Sequence, residues 1–96
     1  MTIRDLLRAR RTDILRLAAK HGATDVRVFG SVARQEADDA SDIDFLVRMV
    51  PGRSLFDLGA LLVDLEELLG RPVDVVTERG LRARIRENVL RDAVRV

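Results

Sequence analysis

An α/β domain, a small mixed sheet of three or more strands with helices packed against it, is what this sequence predicts. Three observations carry that expectation. Short apolar runs of strand length, ending at Phe29, Val47 and Val76, alternate with longer stretches whose apolar residues recur at helical spacing. Glycine and proline punctuate the joins, at Gly22, Gly30, Pro51-Gly52, Gly70 and Pro72. The 96 residues contain no repeat, linker or low-complexity tract, so residues 1–96 read as one domain with one modest core. A chain of this size buries about 60–65% of its unfolded surface. The expected order is helix, strand, short helix, strand, helix, strand, helix.

The first helix is expected over residues 3–21. Ile3, Leu6, Leu7, Ile14, Leu17 and Ala18 share one stripe, Thr2 and Asp5 resemble a capping box, and Gly22 suits a left-handed stop. Its other face is rich in arginine (Arg4, Arg8, Arg11, Arg16) and reads as solvated. His21, the single histidine, sits near the helix end and reads as structural. Residues 25–29 form the first strand, with Val26 and Val28 alternating against Arg27, and a short helix is expected over residues 32–36. The second strand covers residues 42–47. Ser54 then caps a helix over residues 55–69 whose leucines, Leu55, Leu58, Leu61, Leu62, Leu65, Leu68 and Leu69, read as core. Its acidic residues Asp64, Glu66 and Glu67 read as solvated. Residues 72–77 make the third strand. A last helix over residues 81–94 carries a stripe of Leu81, Ile85, Val89 and Ala93 flanked by arginines.

Composition narrows the function. Apolar residues are 47% and charged residues 34%, the balance of an ordinary globular domain rather than a disordered one. Cysteine is absent, which removes disulfides and thiolate metal sites and is compatible with a reducing cytoplasm. No segment has the length and apolarity to span a bilayer, and the N-terminus lacks an apolar signal core. Seventeen basic residues against 16 acidic ones give a net charge of +1. That balance provides no general pull toward nucleic acid, and three phenylalanines are too few for a base-stacking platform.

The chemistry concentrates between residues 26 and 47. A strand ends in Gly30-Ser31, where free backbone N–H groups and a hydroxyl suit an anion, although a plain turn with Ser31 as N-cap fits those two residues alone. Ten residues later comes Asp42-Ile43-Asp44. Side chains at i and i+2 of a strand share a face, so Asp42 and Asp44 project together while Ile43 and Phe45 turn the other way. Two carboxylates held that close repel unless a cation sits between them. A hard divalent ion such as Mg²⁺, which takes carboxylates together with substrate phosphates, resolves the conflict. An anion cradle beside a carboxylate pair points to chemistry on a nucleoside triphosphate. Glu36, Asp38 and Asp39 read as a solvated acidic loop. Asp74, among Val73, Val75 and Val76, reads by itself as an edge-strand carboxylate facing water.

Gly30-Ser31, ten residues, then Asp42-x-Asp44 resembles the signature of the polymerase-β-type nucleotidyltransferase superfamily. Arg34 and Ser41 fall where that pattern commonly has Arg and Ser, and Gln35 stands where the family often has Gly. A chain this short is most similar to the minimal nucleotidyltransferases, the antitoxin partners of HEPN-domain toxins. The resemblance covers residues 24–77 by motif and the rest by element order. It implies a third metal-binding carboxylate on the strand after the intervening helix, where Asp74 is the candidate. It implies Asp42, Asp44 and Asp74 as catalytic, Mg²⁺-binding residues, with Gly30, Ser31, Arg34 and Ser41 at the nucleotide. For Arg34, phosphate contact and a structural ion pair stay open, as do a nucleotide contact and a strand-entry role for Ser41, and partner docking and a plain outer face for the last helix. The implied reaction moves AMP from ATP to a tyrosine hydroxyl of the toxin. Neutralisation by binding alone and modification of a small molecule are the alternatives, and direct nucleic-acid or membrane binding is not expected.

Overall fold

The computed structural model of the protein describes residues 2–36 and 42–96. The readings placed on Asp38, Asp39 and Ser41 lie outside the described residues. The elements run α1 (Ile3–Ala9), α2 (Arg11–Lys20), β1 (Ala23–Phe29), β2 (Ile43–Met49), α3 (Leu55–Leu69), β3 (Val73–Thr77), α4 (Ala83–Asp92) and β4 (Val94–Arg95). The strands form one mixed sheet in the order β3-β2-β1-β4. β1 runs antiparallel to β2 and β4, while β2 and β3 are parallel and joined through α3, as a parallel pair requires.

Strand alternation divides the sheet into two faces. Ile43, Phe45 and Val47 are fully buried, and pairing sets Val73 and Val75 of β3 and Val28 of β1 in the same rows. Helices α1, α2 and α3 cover this face with Leu7, Ile14, Ala18, Leu61 and Leu65. Asp44, Leu46 and Arg48 alternate onto the other face. One row there runs Asp74, Asp44, Phe29 and the next runs Val76, Leu46, Arg27, Arg95. Helices α1, α2 and α3 thus occupy one side and leave the carboxylates on the other.

The local signals act as read at several ends. Thr2 with Asp5, and Ser54 with Asp57, form reciprocal capping boxes, and Gly70 closes α3 in the left-handed conformation at φ 65°. Elsewhere tertiary packing overrides them. The first helix is two, broken at Arg10 (φ −104°, ψ 9°). One turn beyond Leu7, a continuous helix would bury positions 10 and 11, and both are arginine. β1 begins earlier than expected, at Ala23, and its register shifts between Thr24 and Arg27 where Asp25 takes φ 51°. That is a bulge, and aspartate is one of the residues that tolerates it.

Leu55 is not core but 82% exposed, and its neighbour Phe56 is 90% exposed. α3 is about 22 Å long while the five-residue β3 spans about 17 Å, so the first helical turn overhangs the strand. The last helix is shorter than its stripe suggested and buries none of its residues. Residues 94 and 95 leave it to pair with Val28 and Arg27 as β4. Asp64 and Glu66 are engaged rather than solvated. Asp64 lies 2.6 Å from His21 Nε2, tying α3 to the end of α2, and Glu66 accepts the Val73 N–H at 3.1 Å. Among the described residues no helix is long and apolar enough to cross a membrane.

Candidate active site

Where β1 ends, Gly30 adopts φ +72°, and a Cβ added to it would lie 2.7 Å from Asp44 Oδ2. The backbone favours glycine here, and a side chain would have to displace the Asp44 carboxylate. Phe29, which pairs with Asp44 across the sheet, delivers Gly30 to that carboxylate. Beyond it the chain coils once. The Arg34 N–H donates to Gly30 O at 3.1 Å, Gln35 to Val32 O at 3.1 Å and Glu36 to Ser31 O at 2.8 Å. Val32, 1% exposed, pins the coil to the core. The short helix expected over residues 32–36 is therefore a hydrogen-bonded turn. One turn fixes too many torsions for too few bonds to propagate, and Gln35 ends it at φ 61°. The anion-binding capacity of this segment lies in its local N–H groups and the Ser31 hydroxyl, not in the dipole of a full helix.

The two strands after Gly30 supply the acids. Asp44 and Asp74 are direct partners in the parallel β2–β3 ladder and so project from the same face. Asp42, just before β2, shares their parity. Asp44 is partly buried and Asp42 and Asp74 are exposed. Burial first, then the Asp74 charge, then that of Asp42 push the Asp44 carboxyl above its ordinary range, with Arg34 pulling the other way. Among the described residues no three acidic or histidine side chains close on a single point as in a preformed metal centre. Strand pairing sets Asp44 beside Asp74, and Asp42 stands two residues before Asp44. The donor set, carboxylate oxygens alone, is the hard-oxygen kind that Mg²⁺ accepts.

Arg34 does not lean on the carboxylates directly. Its Nε donates to Glu36 at 3.1 Å and its Nη1 to Asp92 at 3.3 Å, so the structural ion pair is the arrangement seen. Asp92 closes α4 against the turn, 58 residues away in sequence, and no local pattern could have indicated it. For Val32 the sequence holds one signal, an apolar residue directly after the Gly-Ser pair. Ser41, expected at the nucleotide, lies outside the described residues.

The family model described as "Nucleotidyltransferase domain" matches residues 12–96 of this chain. The chain is similar to a Methanocaldococcus jannaschii protein named "Putative protein adenylyltransferase MJ0435", 42% identical over 83 residues that cover 86% of this chain and 89% of that one. It is also similar to "Protein adenylyltransferase MntA" of Thermococcus cleftensis, at 40% identity over 80 residues covering 83% and 81%. A solved "Structure of putative minimal nucleotidyltransferase" has a TM-score of 0.86 and 55% identity, covering 96% of this chain and 94% of the other. The solved "Crystal structure of the toxin-antitoxin with AMP-PNP" matches in fold, with a TM-score of 0.74 at 21% identity over 88% of this chain and 69% of that one.

Proposed function

This chain belongs to the nucleotidyltransferase domain family and is an enzyme of that class, and from that premise we propose that it is an antitoxin that transfers AMP from ATP to a tyrosine hydroxyl of a cognate HEPN ribonuclease toxin. The observation that carries the reading is the in-register pair Asp44 and Asp74 beside a glycine that no other residue can replace without meeting Asp44. A relative named protein adenylyltransferase and a fold shared with a toxin–antitoxin complex holding AMP-PNP support the reaction and the kind of partner. A cytoplasmic location follows from such a substrate and partner.

In this proposal Asp42, Asp44 and Asp74 would hold Mg²⁺, which when bound neutralises triphosphate charge and acidifies the acceptor hydroxyl. The N–H groups of the turn after Gly30 and the Ser31 hydroxyl hold the phosphates, with Ser41 proposed as a further nucleotide contact. Asp74, exposed and on the far strand, receives the proton of the acceptor hydroxyl. The acceptor oxygen then bonds to the α-phosphorus in line with the breaking bond to the β-phosphate, and pyrophosphate leaves. Arg34 starts in its ion pair with Glu36 and Asp92 and exchanges those carboxylates for phosphate. The protein contributes positioning and charge compensation.

The experiment mixes the protein with the toxin encoded beside it, ATP and Mg²⁺, and weighs the toxin. A mass gain of AMP on a tyrosine is expected, abolished by Asp42→Asn with Asp44→Asn. If that double variant still neutralises the toxin in cells, silencing is by binding alone and the enzymatic account of neutralisation fails.

A further inference from the structure

The arginines of α1 are not simply a solvated face. Arg4, Arg8 and Arg11 meet Arg95 of β4 around a cavity of about 270 Å³ whose floor is apolar, with Leu7 and Val28 among its lining. Arg4 and Arg8 enter no salt bridge among the described residues. Arg11 spends only its Nε, donating to Val96 O at 3.0 Å. Arg95 stands 3.6 Å from Asp25, a carboxylate that Arg27 and Arg48 also share. Among the described residues, four arginines therefore line this groove against one divided acid, with Val96, which accepts from Arg11, at its end. A second cavity of about 270 Å³ adjoins it, lined by Thr2, Ile3, Arg4, Val32 and Gln35. Arg4 and Val32 belong to both. The path thus runs from Arg95 along α1 to the turn that follows Gly30 and Ser31.

We propose that this groove seats an acidic segment of the acceptor protein, with an apolar residue on the floor and carboxylates on the arginine rim, and so presents the neighbouring hydroxyl to the Gly30–Asp44 site. The inference rests on the transferase reading above and names its substrate class. Guanidinium groups bind carboxylates in a planar, two-point manner, and a cationic rim over an apolar floor fits a mixed acidic and apolar peptide. Each cavity lies just below the roughly 300–1,000 Å³ usual for whole small-molecule ligands, which suits single side chains. A nucleic acid fits less well, since no aromatic side chain lines either cavity and the net charge of +1 gives no basic field.

The test uses a labelled peptide of about twelve residues carrying one tyrosine among Glu and Leu, its twin with Lys for Glu, and a single-stranded RNA of equal charge. Binding is read by anisotropy at low salt without nucleotide, and AMP transfer to the peptide with ATP and Mg²⁺. The acidic peptide should bind about tenfold tighter than either other probe. Arg4→Glu with Arg8→Glu, both exposed positions, should weaken it about tenfold and raise its KM with kcat little changed. Arg79→Glu with Arg84→Glu, an equal charge change elsewhere, should do neither. Equal losses from the two double variants, or RNA binding as tight as the peptide, overturns the proposal. Transfer that proceeds with KM indifferent to Arg4 and Arg8 sinks the groove and leaves the transferase standing. Arginine-dependent binding with no transfer to any acceptor sinks the transferase alone.

Discussion

Asp44 is the residue on which local and tertiary forces disagree most. It is partly buried, with Asp74 fixed beside it by strand pairing and Asp42 two residues before it, so its carboxyl is held above the ordinary range. Removing its charge should relieve that conflict. Asp44→Asn is expected to melt at a higher temperature than the parent in metal-free buffer at neutral pH, while AMP transfer falls about 10²–10³-fold or more. A lower melting temperature would show that the charge is compensated in the resting protein. Gly30 is the complementary case, because its role is to have no side chain. Gly30→Ala should cost about 1–2 kcal/mol from the left-handed backbone alone, and the displaced Asp44 should lower transfer beyond what stability explains. Denaturant titration beside an activity assay separates the two losses.

At the scale of elements, the turn from Gly30 to Glu36 shows how a family departure is absorbed. Gln35 stands where glycine is common, and the chain bends through φ 61° regardless, because Val32 is buried and the flanking hydrogen bonds impose the turn. The left-handed cost for a side-chain residue, about 1–2 kcal/mol, exceeds the extra entropy of glycine, about 0.5–1 kcal/mol. Gln35→Gly should therefore stabilise the protein by about 0.5–1 kcal/mol, measured as a shift of the urea midpoint with unchanged slope. The break between α1 and α2 obeys the same logic in reverse. Arginine cannot occupy the buried stripe, so the helix divides there, and Arg11 reaches Val96, just past the last strand, instead.

Over the whole molecule, a charged network links separate elements on the second face of the sheet. Arg27 donates to Glu78 at 2.5 Å and lies 3.3 Å from Asp25, joining β1 to the segment after β3 and to the bulge. The hydrogen bond from Arg27 is the main reason that the Glu78 carboxyl sits below its ordinary value. A carboxyl lowered by folding adds stability that is present above its unfolded pKa and is lost as pH falls through the folded one. Stability of the parent should therefore decline below the ordinary glutamate range. Arg27→Met should remove the Glu78 share of that decline, leaving the shares of Asp5, Asp57 and Asp64, and lower stability at neutral pH, because it leaves Asp25 and Glu78 without their closest partner. Melting temperatures from pH 7 down to pH 3 for both proteins test this.

The sequence by itself determined what depends on neighbours a few residues apart. The Thr2 and Ser54 caps, the leucine stripe of α3, the three principal strands and the shared parity of Asp42 and Asp44 all follow from helical or strand periodicity and from the hydrogen-bonding capacity of single residues. The Gly30-Ser31 and Asp42-x-Asp44 motifs are legible because residue type and spacing define them. Only the tertiary structure decided the pairing of Asp44 with Asp74, the approach of Gly30 to the Asp44 carboxylate, the Arg34–Asp92 contact, and the change from helix to strand at residue 94. Each depends on groups brought together by chain closure over tens of residues, and periodicity along the chain holds no information about which of two exposed charges will meet.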